Sequence, residues 1–157
     1  MSDKYLQKVS ILNKKQIKHI QSIMTNQWDA SFDFEKYAVL INKDNKIFII
    51  KKEFANLDID HLKVNSLGLY IGELKDNTFR LSIEGSQLIG PLAKKNTIEL
   101  SREELKEWLK GTDIDYTGEC EGFVLVRYGD EFAGSGRIKD GKILNFVPKI
   151  RRLNLSS

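Results

Sequence analysis

The chain has 157 residues, 41% of them hydrophobic and 30% charged, with a net charge of +3. That composition suits a globular chain with a core of its own and excludes a disordered or fibrous one. The longest apolar runs, such as FII and FVLV, are too short to cross a bilayer as a helix, and the N-terminus lacks the apolar region of a signal peptide, so no membrane partner and a cytoplasmic location are expected. The single cysteine, Cys120, agrees with a reducing compartment and leaves the fold to be held by packing.

Ile17, Ile20, Ile23 and Met24 recur at spacings of three and four within Lys14 to Thr25, which predicts an amphipathic helix capped by Asn13. YAVLI and KIFIIKK then flank the polar segment 42–45 as two strands flank a hairpin loop. LGLYIGEL and TFRLSIEG repeat the arrangement around Asp76 and Asn77. In the second of them Phe79, Leu81 and Ile83 alternate with Arg80 and Ser82, the pattern of a half-buried antiparallel strand. SQLIGPL is expected to make one helical turn closed by Gly90-Pro91, and that punctuation suggests a domain boundary nearby. Beyond it NTIEL reads as a short strand, and Ser101 with Glu104 as the capping box of a helix whose Leu105, Trp108 and Leu109 face inward and whose C-terminal cap is Gly111. After Gly118 the pattern is β throughout, in GFVLVRYG, EFAGSGRI, KILNFVP and IRRLNL. Gly129, Gly134, Gly136 and Gly141 allow the turns and bulges of a small closed or nearly closed sheet.

The motifs of familiar catalysts are missing. Gly134-Ser135-Gly136 has Lys139 where a dinucleotide loop needs its third glycine, and Gly141-Lys142 is followed by Ile143 where a P-loop needs Ser or Thr. His19 sits among lysines on the polar side of the first helix. The run DIDH at 58–61 offers metal ligands without a recurring partner, so a loop or helix-cap role is expected and no metal. Cys120 lies between Glu119 and Glu121, whose charge disfavours a thiolate. No cofactor and no enzymatic activity are expected.

Charge, by contrast, is segregated along the chain. Residues 101–121 hold seven acids and three bases, whereas residues 123–152 hold seven bases and three acids. A cationic ribbon is expected from Gly134 to Arg152. Arg137 and Lys139 lie on one side of their strand with Ile138 turned to the core, and Lys142, Asn145 and Lys149 add cations and an amide for phosphate, 2′-hydroxyl or base edges. Arg151 and Arg152 supply planar forks for phosphate contact or base stacking.

Several motifs in the second half stand in a recognisable order: TIELSREELKEWLKGTDI, a Gly-x-V-L-V strand, a G-x-G-R strand, and N-x-x-P-K before R-R-L. This order resembles the PUA domain, an RNA-binding β-barrel module, and the last two elements are especially similar to the RNA-binding tail of the Nol/Nop/Sun family of RNA cytosine methyltransferases. GLYIGELKDNTFRLSIEGSQLIGPLAKK resembles the end of the pre-PUA domain of the Nip-seven ribosome-biogenesis family, although the C-terminal ribbon follows the methyltransferase-tail pattern more closely.

The resemblance implies an α+β fold: an N-terminal α/β pre-PUA domain over 1–87, then a small PUA β-barrel with one or two short helices over 88–157. It implies a stand-alone, non-catalytic protein that binds rRNA or tRNA in ribosome biogenesis or RNA modification, with ribosome-assembly proteins as further partners. The enzymes of that family carry a large cofactor-binding domain and a pair of active-site cysteines, neither of which this chain has. Such two-domain proteins are frequent in archaea, so an archaeal source is expected. Arg137, Lys139, Lys142, Lys149, Arg151 and Arg152 are expected to grip the RNA backbone, Lys94 and Lys95 to add to them at the domain junction, and Asn145 to read polar groups. The competing expectation is a protein-interaction adaptor docking through the acidic helix Glu103 to Lys110 or through the N-terminal domain; a regulatory domain for a small ligand is a third.

Overall fold

The computed structural model describes residues 9–55 and 68–153. The DIDH run therefore lies outside the described residues. Two five-stranded sheets are joined by helices in an α+β arrangement.

The first sheet is an antiparallel meander of β1 (Val9–Ile11), β2 (Tyr37–Asn42), β3 (Lys46–Lys51), β4 (Leu69–Lys75) and β5 (Thr78–Leu81), in that order across the sheet. Its tight turns use the residues that tolerate left-handed backbone, Asn45 (φ 61°) and the pair Asp76 (φ 50°) and Asn77 (φ 62°). Helix α1 (Lys14–Trp28) starts at Asn13 in a capping box with Gln16 and buries Ile20, Ile23, Met24 and Trp28. It runs one turn past the expected end, because Trp28 continues the apolar stripe four residues after Met24. The intervening Gln27 accepts from the Phe79 N–H and donates to the Phe79 carbonyl, both at 2.9 Å, and so tethers the helix to β5. His19 meets the β4–β5 turn through Asn77, at 3.3 Å. A short helix α2 (Lys52–Ala55) follows β3.

Helix α3 (Ile83–Ile89), capped by Ser82, and a 3-10 turn at Gly90–Leu92 lead to the second sheet. That sheet has the order β6 (Thr97–Glu99), β8 (Phe123–Tyr128), β9 (Glu131–Lys139), β10 (Lys142–Asn145), β7 (Ile114–Asp115), with β6 and β8 parallel and the other pairs antiparallel. It is a curled half-barrel with β6 and β7 at its edges, where the sequence suggests a closed or nearly closed barrel. Helix α4 (Arg102–Leu109) lies between β6 and β7 in the chain. Its Ser101–Glu104 capping box forms, and at its other end Thr112 donates to the Glu107 carbonyl and Gly111 (φ 96°) to that of Trp108. That is a Schellman ending, which the left-handed glycine makes possible.

Over its described residues the expected strand IRRLNL does not form: Lys149–Arg151 makes a 3-10 turn that starts at Pro148, whose φ is −60° and whose carbonyl accepts from the Arg151 N–H, and Asn154 and Leu155 lie outside the described residues.

The two sheets share a seam. Leu125 of β8 and Phe132 of β9 belong to the apolar cluster built by α1 and the first sheet, while Trp108, Val124, Val126, Ile143 and Val147 fill a second cluster inside the half-barrel. Ser86 on α3 accepts from the Gly134 N–H, and Ser135 donates to the Leu81 carbonyl, both inside the protein. Gly90 is required there, since a Cβ would stand 2.5 Å from the Phe132 ring. Among the described residues no helix is long and apolar enough to cross a membrane.

Candidate nucleic-acid interface

The ribbon of β9 and β10 is braced from beneath by Trp108. Its indole is fully buried and donates at 2.8 Å to the Ala133 carbonyl. Gly136 leaves the space the ring needs: a Cβ there would lie 2.9 Å from the indole and 2.4 Å from the Leu144 carbonyl oxygen. Alternation along β9 then turns Arg137 and Lys139 outward, with Ile138 packed on the core, as expected.

The expected site residues separate by what holds them. Arg137 lies over the Phe123 ring, 5.6 Å from its centre, and neither Arg137, Lys139 nor Lys149 has an ion-pair partner among the described residues. Lys139 stands opposite Lys142 in the ladder, and Lys142 is drawn to Asp115 of β7 at 3.0 Å. Arg151 reaches Glu84 at the start of α3, donating to both carboxylate oxygens at 2.5 and 3.1 Å, and this contact raises its pKa. Arg152 turns inward: its Nε donates to the Val147 carbonyl at 3.0 Å and its guanidinium lies against Gly111.

Asn145 has both amide N–H groups on carbonyls near the end of α4, Trp108 at 2.7 Å and Thr112 at 3.0 Å, while its oxygen accepts from the Val147 N–H. It satisfies backbone groups that a helix end leaves open. Lys94 and Lys95 are exposed on the link into β6, with both N–H groups on the Trp28 carbonyl, so they stand at the opposite edge of the second sheet from β10.

The segregation of charge along the chain is therefore partly undone in space. The acidic stretch folds back as β7 onto β10, where Asp115 meets Lys142 and Asp113 accepts from the Asn145 backbone N–H at 2.8 Å.

Beside the ribbon, at the seam of the two sheets, lies a cleft of about 250 Å³. One wall comes from the first sheet, where Lys46, Glu73 and Arg80 stand directly opposite one another on β3, β4 and β5. Tyr70 shares that face through a bulge: Ile47 pairs with Gly72 and Phe48 with Tyr70, so Ile71 is the extra residue. Without it, Tyr70 and Glu73 would point to opposite faces, since their separation is odd. The other wall is Phe146, Val147 and Pro148, with Gly134 and Ser135 between. The Arg80 guanidinium lies 4.4 Å from the centre of the Phe146 ring, well within cation–π range, and Lys46 lies 5.8 Å from that of Tyr70. Burial, with Glu73 adding to it, pushes the Tyr70 hydroxyl up to about 12.

Phe146 is also 6.3 Å from Phe123, which carries Arg137. A row of cation, ring, ring, cation thus runs from the ribbon into the cleft through Arg137, Phe123, Phe146 and Arg80. Sequence reasoning found only Arg137 of these. The outward alternation of Arg80 was visible, but nothing in the sequence pairs it with a phenylalanine 66 positions later.

Comparison with known proteins gives the second half a family. Residues 95–153 match the profile described as the methyltransferase RsmF PUA domain. The chain is 28% identical over 153 residues to the ribosomal RNA small subunit methyltransferase F of Vibrio parahaemolyticus, a match covering 91% of this chain and 31% of that protein. Proteins of the same name from Aeromonas hydrophila and Vibrio campbellii are 24% identical over 127 residues and 30% over 107, covering 80% and 62% of this chain and 26% and 22% of theirs. The chain thus spans at most about three tenths of the length of these relatives. They are bacterial, which leaves the expected archaeal source without support. With this match lying on the half-barrel, residues 95–153 form a PUA domain similar to the PUA tails of the Sun/Nol rRNA methyltransferases.

Proposed function

We propose that this chain is a non-catalytic RNA-binding protein that holds rRNA, or tRNA, during ribosome biogenesis or RNA modification in the cytoplasm. In this reading residues 1–87 are a pre-PUA domain and residues 88–157 the PUA domain that carries the RNA. Its binding face comprises Lys94, Lys95, Arg137, Lys139, Lys142, Asn145, Lys149, Arg151 and Arg152. Arg137, Lys139 and Lys149 make the leading phosphate contacts, and Asn145 and Arg152 hold the end of the ribbon in place.

The observation that carries the reading is an exposed ribbon in which Arg137, Lys139 and Lys149 have no ion-pair partner among the described residues, set beside aromatic rings on a PUA domain. Cations supply the sequence-independent part of RNA affinity by releasing counterions, and rings stack unpaired bases. Titration of labelled rRNA fragments with wild type and with an Arg137→Ala/Lys139→Ala/Arg151→Ala variant tests it. The wild type should bind with a steep salt dependence, and each lost phosphate contact should lower the slope of log affinity against log salt by about 0.7 to 0.9. Equal affinity and equal slope in the two proteins would sink the proposal. Crosslinking in cells and sequencing of the bound RNA would identify the target. A protein that co-purifies with a ribosome-assembly partner but never with RNA would favour the adaptor reading.

A further inference from the structure

The seam cleft differs from the ribbon in its chemistry. Its lining holds two cations, one carboxylate and two aromatic rings with apolar walls between them, and its volume of about 250 Å³ lies below the range that accepts a drug-sized ligand. Phosphate alone would not require the rings, and an apolar side chain would not require Lys46, Glu73 and Arg80 on one wall. A flat aromatic group with polar edges satisfies both. An arginine plane seated on a ring is a stacking platform for such a group, and unpaired bases in RNA are taken up on such platforms. Arg80 also has its Nε buried without a partner among the described residues, so the guanidinium is held by packing on Phe146 more than by a carboxylate.

We propose that the seam cleft takes one unpaired base of the bound RNA. The base stacks on the Arg80–Phe146 pair, Lys46 and Glu73 meet the donors and acceptors on its edge, and the adjoining backbone continues along Phe123 to Arg137 and the ribbon. The bulge at Ile71 has a purpose in this arrangement: it brings Tyr70 onto the same wall as Lys46, Glu73 and Arg80. The inference rests on the RNA-binding reading above, and it assigns to the first sheet a share in recognition that the PUA half alone would not have.

The test uses the whole chain and a short uridine strand carrying one 2-aminopurine, whose fluorescence falls when the base stacks. Wild type should bind the strand and quench it. Phe146→Leu keeps the apolar bulk, and Arg80→Met keeps the stem that packs on the ring; each should bind roughly ten-fold more weakly and leave the probe largely unquenched at saturation. Arg137→Ala should weaken binding and lower the salt slope while the saturated complex stays quenched. A Phe146→Leu variant that folds, shown by an unchanged circular dichroism spectrum, and that binds and quenches like wild type would overturn the cleft proposal and leave the RNA reading standing. A wild type that binds no RNA at low salt would overturn the RNA reading itself.

Discussion

The β9–β10 ribbon and the seam cleft handle their cations differently. In the ribbon, carboxylates from distant segments answer two of them, Asp115 taking Lys142 and Glu84 taking Arg151, while Arg137 rests on the Phe123 ring. In the cleft, rings answer them: Phe146 lies under Arg80 and Tyr70 under Lys46. A carboxylate cancels a charge that RNA would use, whereas a ring positions the charge and leaves it in place. Counting bases along a sequence therefore overstates the ribbon and overlooks the cleft.

The contrast can be broken first at its support. Trp108→Ala should cost about 3–5 kcal/mol in chemical denaturation, since it empties the space under Gly136 and strands the Ala133 carbonyl. A loss of less than about 1 kcal/mol would mean that the ribbon is not braced from beneath. The next effect separates two arginines that the sequence treats alike. Arg152→Ala should lower stability by about 1–2 kcal/mol, through its lost hydrogen bond to Val147, with an unchanged salt slope for RNA. Arg137→Ala should do the reverse.

The third prediction probes the cleft wall by pH. Tyr70 has a folded pKa near 12 against an ordinary value near 10. Above pH 10 the unfolded chain releases that proton and the folded chain keeps it, so the contribution of Tyr70, fully present below pH 10, should fall progressively up to pH 12. Ultraviolet titration should show a late-titrating tyrosine that is missing in Tyr70→Phe, and the variant should lose less stability over that window. The smallest effect is at the ribbon's edge. Asp115→Asn should change stability by less than about 1 kcal/mol, because its pair with Lys142 is exposed, yet it should raise RNA affinity by releasing that lysine.

Much of the local structure was legible in the sequence. Asn13 and Ser101 mark real helix starts, Gly111 a real helix end, and the Asn and Asp residues at 45, 76 and 77 real left-handed turns, because each works through atoms a few positions away. Three features depended on distance along the chain or on length. Strand β7 is two residues long and shows no period. The 3-10 turn after Pro148 stands where the described part of IRRLNL was expected as a strand, closed by the Arg151 N–H on the Pro148 carbonyl. The bulge at Ile71 leaves no mark in the alternation of LGLYIGEL that distinguishes it from a regular strand. The candidate site was legible as a basic strand and illegible as a cleft, since Arg80 and Phe146 meet only after both sheets have formed.

Leu125 and Phe132 decide how much of the chain must stay together. Both sit in the half-barrel by sequence and in the first sheet's apolar cluster by packing. A segment cut at residue 95, where the family match begins, would carry those two side chains with nothing over them. The unit that can be inherited, transplanted or expressed intact is therefore larger than the recognisable PUA module, and it should melt in a single cooperative transition.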